Sequence, residues 1–486
     1  MAAAQRCVKV RAMATPKTTF LAALAVLAGA CAVNPLTGKR DFVLIPESQE
    51  IEIGRQAADQ AAQTIGLYDN AAVQNYVSEL GKKLAAQSER PNLPWRFQVV
   101  DDPAVNAFAL PGGFIFVTRG ILTHLTEEAQ LVAVLGHEIG HVTARHSVRQ
   151  LSKAQLAQVG LAAVSVVSDT GAIGQLGAAG LGILFLKYGR DAEREADDLG
   201  FRYSLNTGYA VRSMPDVFGT LKRVGEAAGA QTLPNWLSTH PSPDERIARI
   251  TGQINETNPP QGIVERDRYL AMMDGIVFGA DPRHGFFDGD VFKHPAMRFQ
   301  MRMPAGWKSQ NLSEAVVSQG PENTGALQLT LAKEDSPGAA LQKFGTMEGV
   351  SNLEPVAFPI AGTASSARFR AKTESGEIAG LVTFVAHDNK TFQLLGLSPV
   401  ETFATQETTF KNTFGSFSVL TDPAALAAQP AHVQVVTVGG AMTFAQFAAP
   451  HVTPKVTVDQ LAIINQVEPG TQLSPGQKMK VVKGGR

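Results

Sequence analysis

The five residues His137-Glu138-Ile139-Gly140-His141 constrain this chain more than any other segment of its 486 residues. Residues four positions apart lie on the same face of an α-helix, so a helix here presents two imidazoles side by side. Apolar residues around the segment indicate a buried helix over about 126–150, with Thr126 as its cap. Buried imidazoles need partners, and the spacing predicts that His137 and His141 bind one metal ion while Glu138 acts as a general base.

A tetrahedral zinc site needs a third protein ligand, and the chain offers candidates downstream. His146 is the nearest, but it falls one residue short of the third histidine of the metzincin pattern, and Ala144 takes the place of its glycine. We therefore expect His146 to be a polar residue near the helix end. In the charged run 190–200, Glu193 and Asp197 are four residues apart and share one helical face. This favours Glu193 as the third ligand, with Asp197 accepting the free ring N–H of a ligand histidine.

Alternatives stay open around these positions. Glu195 competes with Glu193, although Leu199, and not a carboxylate, stands four residues after it. His240 precedes a proline in a turn, and three roles are open to it: a structural histidine, a displaceable fourth ligand, or a donor to the oxyanion of a tetrahedral intermediate. Arg246 is predicted either to stabilise the same oxyanion or to hold the carboxylates of the acidic helix.

A tight turn and a short strand are predicted after Asn106. Pro111-Gly112-Gly113 has the composition of a turn, and the apolar run that begins at Phe114 is typical of a β-strand. We expect this strand to be the sheet edge that pairs with an extended substrate backbone, so that Asn106, Gly112, Gly113 and Phe114 belong to the substrate edge. A buried hairpin without a ligand role is the alternative.

Together these blocks resemble the zinc endopeptidase family that includes the CAAX prenyl proteases, the heat-shock peptidase HtpX and the periplasmic protease BepA. The matching blocks are Asn106–Gly113, His137–His141, Glu193–Asp197, and Ser238–Pro241 with Arg246, within roughly residues 33–255. The resemblance implies a mainly helical, gluzincin-type domain with one zinc ion per chain, held by His137, His141 and Glu193. It also implies that His240 stands near the metal in a resting state. Gly189 departs from the serine that often precedes the second helix in this family.

Residues 1–31 are predicted to be an export leader, because basic residues without an acid precede an apolar run that ends at Cys31. Ala28-Gly29-Ala30-Cys31 resembles a bacterial lipobox with Cys31 as the lipid acceptor, and ordinary signal cleavage is the alternative. Ala32 after the cysteine implies sorting to the outer membrane, so we expect a periplasmic protein tethered there. Cys7 and Cys31 are the only cysteines, so no intramolecular disulfide is expected after processing.

Charge and hydropathy exclude one class of partner and leave one open question. The chain has 43 Lys and Arg against 44 Asp and Glu, and basic residues do not cluster beyond the leader, so nucleic-acid binding has no support. The stretch 154–186 carries Asp169 as its only charge, but 168–171 divides it into pieces shorter than the ~20 residues of a membrane span. We expect two packed helices there, and a transmembrane hairpin is the alternative.

The fold class predicted for the whole chain is α+β with several domains. A zinc metallopeptidase domain is expected over 32–258, a linker over 259–284, an antiparallel α+β accessory domain over 285–420, a second linker over 421–432 and a small module over 433–486. The last segment resembles the LysM module, because a helix that ends in Asn465 precedes Pro475-Gly476-Gln477 and a final strand. That resemblance implies contact with peptidoglycan, and a packing module without glycan is the alternative.

These patterns predict an exported zinc endopeptidase that hydrolyses peptide bonds of envelope proteins, in quality control or assembly. Its partners are expected to be polypeptide substrates of the cell envelope. Two other functions stay open: a chaperone-like assembly factor for outer-membrane proteins, with a zinc site mostly closed by His240, and a peptidoglycan-binding adaptor that works through 433–483.

Overall fold

The computed structural model describes residues 31–33, 38, 40–153, 188–228 and 239–485, except 313, 348, 374–375 and 455. The leader up to residue 30, the two helices predicted within 154–186 and residues 236–238 lie outside the described residues. In the described part, a mainly helical N-terminal region precedes a sheet-rich C-terminal region, so the coarse fold class is as predicted. Within the same part, no helix has the length and apolar character needed to cross a membrane.

Helices dominate up to residue 273, and strands dominate after it. The helices are α1 Glu47–Thr64, α2 Ala71–Ala85, α3 Arg119–His124, α4 Glu128–Thr143, α5 Arg190–Asn206, α6 Met214–Ala228, α7 Pro243–Thr257, α8 Arg266–Met273, α9 Pro337–Gly345, α10 Phe403–Gly415, α11 Pro423–Leu426, α12 Phe444–Ala448 and α13 Val458–Asn465. The strands are β1 Cys31–Val33, β2 Arg40–Phe42, β3 Arg96–Val100, β4 Ala107–Leu110, β5 Phe114–Thr118, β6 Val277–Phe278, β7 Phe286–Asp288, β8 Val291–His294, β9 Phe299–Arg302, β10 Lys308–Asn311, β11 Val316–Gln319, β12 Ala326–Leu331, β13 Val350–Pro355, β14 Ala364–Thr373, β15 Gly376–His387, β16 Lys390–Pro399, β17 Ser418–Val419, β18 Ala431–Thr437, β19 Met442–Thr443, β20 Gln472–Leu473 and β21 Lys478–Gly484.

A three-stranded sheet packs beside α4. Its order is β3–β5–β4, with β3 parallel and β4 antiparallel to β5. All five residues of β5 are buried. The predicted edge role of Phe114 is therefore wrong, because both sides of β5 are already hydrogen-bonded to neighbouring strands. β4 packs against α4 and, among the strands of the described residues, lies at the edge of this sheet.

Gly112 and Gly113 form the predicted turn between β4 and β5, with left-handed φ values of 76° and 104°. A Cβ at Gly112 would lie 2.6 Å from the Cα of Ile51, so α1 covers the turn. The Gly112 amide donates to the buried carboxylate of Glu50 at 3.3 Å. The predicted substrate-edge role of these two glycines is also wrong, because the turn is packed under a helix.

The predicted catalytic helix is interrupted. Its N-cap is Glu127 and not Thr126, whose backbone N–H instead bonds the side chain of Gln130 at 2.8 Å. After α4 ends, Arg145 adopts a left-handed φ of 56°, and a second helical segment covers 146–153. The break redirects the chain directly after the second histidine of the motif.

Helices α4 and α5 pack with their backbones in close contact. A Cβ at Gly140 would lie 2.8 Å from the carbonyl oxygen of Ala196, and a Cβ at Gly200 would lie 2.9 Å from the backbone nitrogen of His137. The distance between packed helices depends on the side chains at their contact, and glycine allows the closest approach. The acidic residues of α5 therefore stand directly opposite the histidines of α4.

Residues 285–420 form two antiparallel sheets. The seven-stranded sheet has the order β10–β11–β12–β16–β15–β14–β13, and the four-stranded sheet has the order β17–β9–β8–β7. Buried and less buried residues alternate along β16, as expected for a strand with one face on a core. Aromatic side chains such as Phe299, Phe392 and Phe410 fill that core. Two helices, α9 and α10, accompany these sheets, as expected for an α+β domain.

The C-terminal segment contains, in chain order, β18, β19, α12, α13, β20 and β21, with β18 and β21 antiparallel. β18 also pairs with β6, so this small sheet connects the segment to the helical region. The buried side chain of Lys480 donates to the carbonyls of Thr123 at 2.7 Å and Leu125 at 2.6 Å. The segment is therefore packed on the residues that lead into α4.

Both predicted linkers contain packed elements. Within 259–284, Tyr269 and Met273 of α8 belong to the core of the helical region. Within 421–432, Ala425 of α11 is fully buried. The domain boundaries stay predictions, and the segments between them are structured.

Candidate metal centre

Four buried side chains from three parts of the chain bring their ligand atoms together. His137 and His141 of α4, Glu193 of α5 and His240 before α7 each offer one ligand atom, and these atoms lie within 4.8 Å of one another. Each residue is at most 3% exposed. No other such group of three or more His, Cys, Asp or Glu side chains occurs among the described residues. Imidazoles with a carboxylate are a donor set that zinc favours.

The distances within the cluster match ligands of one ion. His137 Nε2 and His141 Nε2 are 3.0 Å apart, so both rings turn the same nitrogen toward one point. The carboxylate of Glu193 lies 3.6 Å from the first of these nitrogens and 3.5 Å from the second. Ligand atoms bound to one tetrahedral zinc ion at ~2.0–2.2 Å stand roughly 3.3–3.5 Å from one another. The cluster therefore fits a zinc ion once the two imidazole nitrogens separate by a few tenths of an ångström.

Glu138 lies beside the cluster and has no hydrogen-bond partner among the described residues. Both of its carboxylate oxygens are buried. The nearest ring nitrogen, His240 Nε2, is 3.8 Å away. Burial raises the pKa of Glu138, and the charges of His240 and His137 oppose that shift only in part. A buried polar group without a partner requires an explanation, and a water molecule at a metal site supplies one.

The surroundings of Glu138 are apolar. A small cavity beside His137 and Glu138 is lined by Ala133, Val134, Met214, Val217 and Phe218. Arg246 packs over the ring of Phe218, with its guanidinium carbon 4.1 Å from the ring centroid. This wall explains the desolvation of Glu138, because few polar groups face the carboxylate.

Asp197 contacts His137 from the side away from the cluster. Asp197 Oδ1 is 2.9 Å from His137 Nδ1, so an ionised carboxylate accepts the Nδ1–H and leaves Nε2 bare for a metal. Burial would raise the pKa of Asp197, but the charge of Arg246 and the hydrogen bond from His137 outweigh it and hold that pKa well below its usual value. This geometry is the one predicted for Asp197.

Arg246 contacts two of the carboxylates of α5, those of Asp197 and Glu193. It donates to the two oxygens of Asp197 at 2.9 and 2.6 Å, and its Nη1 lies 3.2 Å from Glu193. Nη2 also lies 3.1 Å from His137 Nδ1, but its contact with Asp197 is shorter. Because a carboxylate can only accept, we assign the Nη2–H to Asp197 and leave His137 Nδ1 as a donor to the same carboxylate. Of the two roles predicted for Arg246, these contacts favour the one that holds the carboxylates.

Glu193 and His240 form a buried pair inside the cluster, with His240 Nδ1 3.0 Å from Glu193 Oε1. Burial would lower the pKa of His240, but the neighbouring Glu193 raises it overall. Burial would likewise raise the pKa of Glu193, but His240 and Arg246 lower it overall. The structure brings His240 to the ligand atoms, and its predicted ligand and oxyanion roles stay predictions.

Two side chains contact the cluster without having been predicted there. Tyr188 stacks on His141 with ring centroids 4.2 Å apart, and its hydroxyl bonds Ser147 at 2.7 Å. His146, expected to be a polar residue near the helix end, is buried (4% exposed), and its Nδ1 lies 2.8 Å from His141 Nδ1. The sequence offers a signal for placing Tyr188 near the cluster, because it is the aromatic residue directly before Gly189 and the acidic helix. The position of His146 depends on the break at Arg145, which has no local sequence signal.

The residues predicted for the substrate edge separate into two groups. Asn106 directly precedes β4, and its carbonyl accepts the backbone N–H of Thr118 at 3.0 Å. Its side-chain Oδ1 is buried and has no hydrogen-bond partner among the described residues. Gly112, Gly113 and Phe114 lie at the covered turn and in the central strand. Only Asn106 of this set adjoins an edge strand.

All four residues of the cluster lie within a segment that matches a known protein family. Residues 71–254 match peptidase family M48. The chain is 29% identical over 247 residues to the β-barrel assembly-enhancing protease of Yersinia pestis, which covers 48% of this chain and 50% of that protein. It is 33% identical over 193 residues to the mitochondrial metalloendopeptidase OMA1 of Arabidopsis thaliana (38% of this chain, 37% of that protein) and 37% identical over 186 residues to that of Schizosaccharomyces pombe (37% and 53%). The chain spans about half the length, or less, of these curated relatives.

Proposed function

We propose, from the premise that residues 71–254 form a domain of the zinc metalloendopeptidase family M48, that this chain hydrolyses peptide bonds in proteins of the cell envelope. The observation that carries the proposal is the convergence of His137, His141, Glu193 and His240 beside the buried carboxylate of Glu138, which has no hydrogen-bond partner in the described part of the chain. The carboxylate of Glu138 has no evident structural role, because a buried carboxylate without a hydrogen bond destabilises the fold.

His137, His141 and Glu193 are assigned as the ligands of one zinc ion. A bound zinc ion supplies Lewis acidity, which polarises the scissile carbonyl and lowers the pKa of an attacking water toward about 7. Glu138 accepts the proton of that water and returns it to the leaving amine. The pKa of Glu138, raised by burial, suits a group that must both take and release a proton near neutral pH.

His240 is assigned as the resting-state partner of the site and as the donor to the oxyanion. Its Nδ1 contacts Glu193 at 3.0 Å and its Nε2 lies 3.8 Å from Glu138, so its ring stands between the third ligand and the general base. The same position supports a second candidate function, an assembly factor with a mostly closed zinc site. Arg246 is assigned a positioning role through Asp197 and Glu193.

β4 replaces β5 as the proposed substrate edge. The carbonyl of Asn106 bonds Thr118 of β5, and in an antiparallel pair only every second residue faces the partner strand. The backbone groups of Ala107 and Ala109 therefore face away from β5. An extended substrate can add to this edge through main-chain hydrogen bonds, which any peptide sequence offers.

The location in the envelope rests on the leader predicted over 1–31 and on similarity to a β-barrel assembly-enhancing protease. Lipidation of Cys31, a tether to the outer membrane and contact of 433–486 with peptidoglycan belong to the same proposal. A pulldown on purified peptidoglycan tests the last point, and recovery of no protein would remove it.

The full chain is tested with Glu138→Gln, with Glu193→Ala, and with Asp191→Asn as a control at an exposed carboxylate of α5. We expect one zinc per chain by elemental analysis and cleavage of unstructured, labelled casein by the wild type. Glu138→Gln should keep the metal and lose activity by ~10²–10⁴-fold, because the general base is gone. Glu193→Ala should lose the metal, and the control should retain both properties.

Absence of stoichiometric metal from the wild type, or unchanged activity of Glu138→Gln, would contradict the proposed peptidase. Unchanged zinc affinity of Glu193→Ala would contradict only the ligand assignment. A Glu138→Gln protein that cleaves nothing but fully supports envelope integrity in cells would favour the assembly factor.

A further inference from the structure

We propose that His146 and Glu195 are positioning residues that hold His141 with its Nε2 free to bind the zinc ion. They form a buried chain of hydrogen bonds behind His141. His141 Nδ1 is 2.8 Å from His146 Nδ1, and His146 Nε2 is 3.2 Å from Glu195 Oε2. The two rings are 1% and 4% exposed, so they are shielded from water. The inference rests on the zinc site proposed above.

The chemistry of the three groups fixes the place of each proton. A carboxylate only accepts, so the His146 nitrogen that faces Glu195 carries a hydrogen. In the neutral ring the other nitrogen, Nδ1, is then bare and accepts the Nδ1–H of His141. His141 is left with a bare Nε2, and this nitrogen is the one that faces His137 and Glu193 in the cluster.

An arginine favours the charged form of the last group in this chain. Arg149 Nη1 lies 3.2 Å from the same Glu195 oxygen that faces His146. A cation at this distance stabilises the carboxylate over the carboxylic acid. The charged Glu195 therefore fixes His146 as the donor of their hydrogen bond. His146 in turn fixes His141 as the donor of the bond between the two rings.

Carboxylates of α5 thus hold both ligand histidines of α4, one directly and one through His146. Asp197 reaches His137 directly, at 2.9 Å. Glu195 stands two residues before Asp197, a rotation of about 200° around the helix, and cannot reach the cluster itself. His146 bridges that gap. This explains how Glu195 contributes to the site although it is not a ligand.

The break after α4 makes this arrangement possible. In an uninterrupted helix, a residue five positions after His141 would be rotated by about 140° from it. Arg145, with a φ of 56°, ends the helix and lets His146 begin the next segment with its ring beside His141. The histidine that fails the metzincin spacing is thereby placed to support a ligand.

The experiment measures the zinc affinity of the full chain by competition with a chromophoric chelator. The variants are Glu195→Gln, His146→Gln and the double variant, with Asp191→Asn as the matched control on α5. A glutamine at 195 can donate to His146 and reverse the order of the protons. We expect the zinc dissociation constant to rise 10- to 100-fold in each of these three variants and to stay unchanged in the Asp191→Asn control. Because the residues act in series, the double variant should lose about as much as one single variant.

A second readout separates positioning from a merely structural role. Ring ¹⁵N NMR of the metal-free protein should show His141 protonated at Nδ1 in the wild type and a mixture of tautomers in Glu195→Gln. A structural role alone would change the thermal midpoint but not the tautomer. If His146→Gln does not fold, Glu195→Gln decides alone, since its side chain is partly exposed (11%).

The possible failures are distinguishable. A wild type that binds no zinc overturns the proposed metal site. A wild type that binds zinc, with a Glu195→Gln variant that binds it equally tightly and keeps the same His141 tautomer, overturns the positioning role and leaves the proposed peptidase intact.

Discussion

Replacing Gly140 with alanine is expected to push apart the two helices that carry the candidate ligands. The added Cβ would lie 2.8 Å from the carbonyl oxygen and 3.0 Å from the Cα of Ala196. Carbon contacts are favourable only from ~3.5 Å, so α4 and α5 must separate by roughly half an ångström. Ala196 adjoins Asp197 and lies one helical turn from Glu193. The separation therefore displaces both carboxylates from the histidines.

Two opposing energies set the size of the effect. Overpacking a close contact costs ~1–3 kcal/mol, whereas alanine in a helix interior is ~1 kcal/mol better than glycine. Gly252 of α7 is the matched control, because nothing lies within 4 Å of a Cβ added there. Gly252→Ala should be stabilised by ~1 kcal/mol, and Gly140→Ala should be less stable than this control by ~1–3 kcal/mol.

The assay combines amide hydrogen exchange of α4 in the metal-free chain with zinc affinity of the full chain. Exchange reports the free energy of local opening, so the peptides of α4 should exchange faster in Gly140→Ala than in Gly252→Ala. Zinc affinity should fall about tenfold, equivalent to ~1.4 kcal/mol, in Gly140→Ala alone. Equal protection of α4 and equal zinc affinity in the two variants would refute the idea that this close contact sets the ligand geometry.

Three further outcomes are expected. Asp197→Asn leaves the buried charge of Arg246 with less compensation, and urea denaturation of the metal-free chain should show a loss of ~3 kcal/mol; an unchanged midpoint would contradict the pairing. Because the folded-state pKa of Asp197 is depressed, its contribution to stability is present above the unfolded value of ~3.9 and is lost as the pH falls below it, so the wild type should lose stability on acidification more steeply than Asp197→Asn. Parallel pH profiles would argue against that assignment. Ala109→Pro removes an outward N–H of β4 and should lower kcat/KM about tenfold with zinc retained, because the loss of one hydrogen bond costs ~1–1.5 kcal/mol. Ala109→Gly keeps this N–H and should not lower kcat/KM. Equal losses of kcat/KM in both variants would exclude backbone recognition at this edge.

The cluster could be anticipated from sequence because helical spacing alone determines much of it. His137 and His141 share a face of any helix that contains them, and so do Glu193 and Asp197. For these four residues only one tertiary fact was needed, that the two faces oppose each other, and Gly140 supplies a reason for their close approach. The approach of His240 to the cluster is a second tertiary fact, which helical spacing does not determine. The coarse order of helical and sheet-rich regions likewise follows from local periodicity.

The strand order could not be obtained from local pattern. The residues of β5 predict a strand, but its neighbours are set by a parallel pairing with β3 and an antiparallel pairing with β4. A continuous apolar run is in fact typical of a strand buried on both faces. The continuous apolar run at Phe114 therefore agrees with a central strand and not with an edge.

The break at Arg145 was hidden for a different reason. Arginine has no special preference for a left-handed φ, so the residue gives no turn signal of its own. Its guanidinium is held by Glu50, which is 95 residues away in sequence, at 2.9 Å. A long-range contact thus decides the local conformation, and the placement of His146 follows from it.

The contact between Lys480 and Thr123 joins residues 357 positions apart in the sequence. During synthesis, the last member of the metal cluster, His240, leaves the ribosome long before this lysine does. Contacts so distant in sequence form late, because the loop between them must close first. The carbonyls of Thr123 and Leu125 therefore cannot accept from Lys480 until after all residues of the metal cluster have emerged. A nascent chain with all its candidate ligands in place therefore still lacks this contact, and the surroundings of the site are completed only after Lys480 has been synthesised.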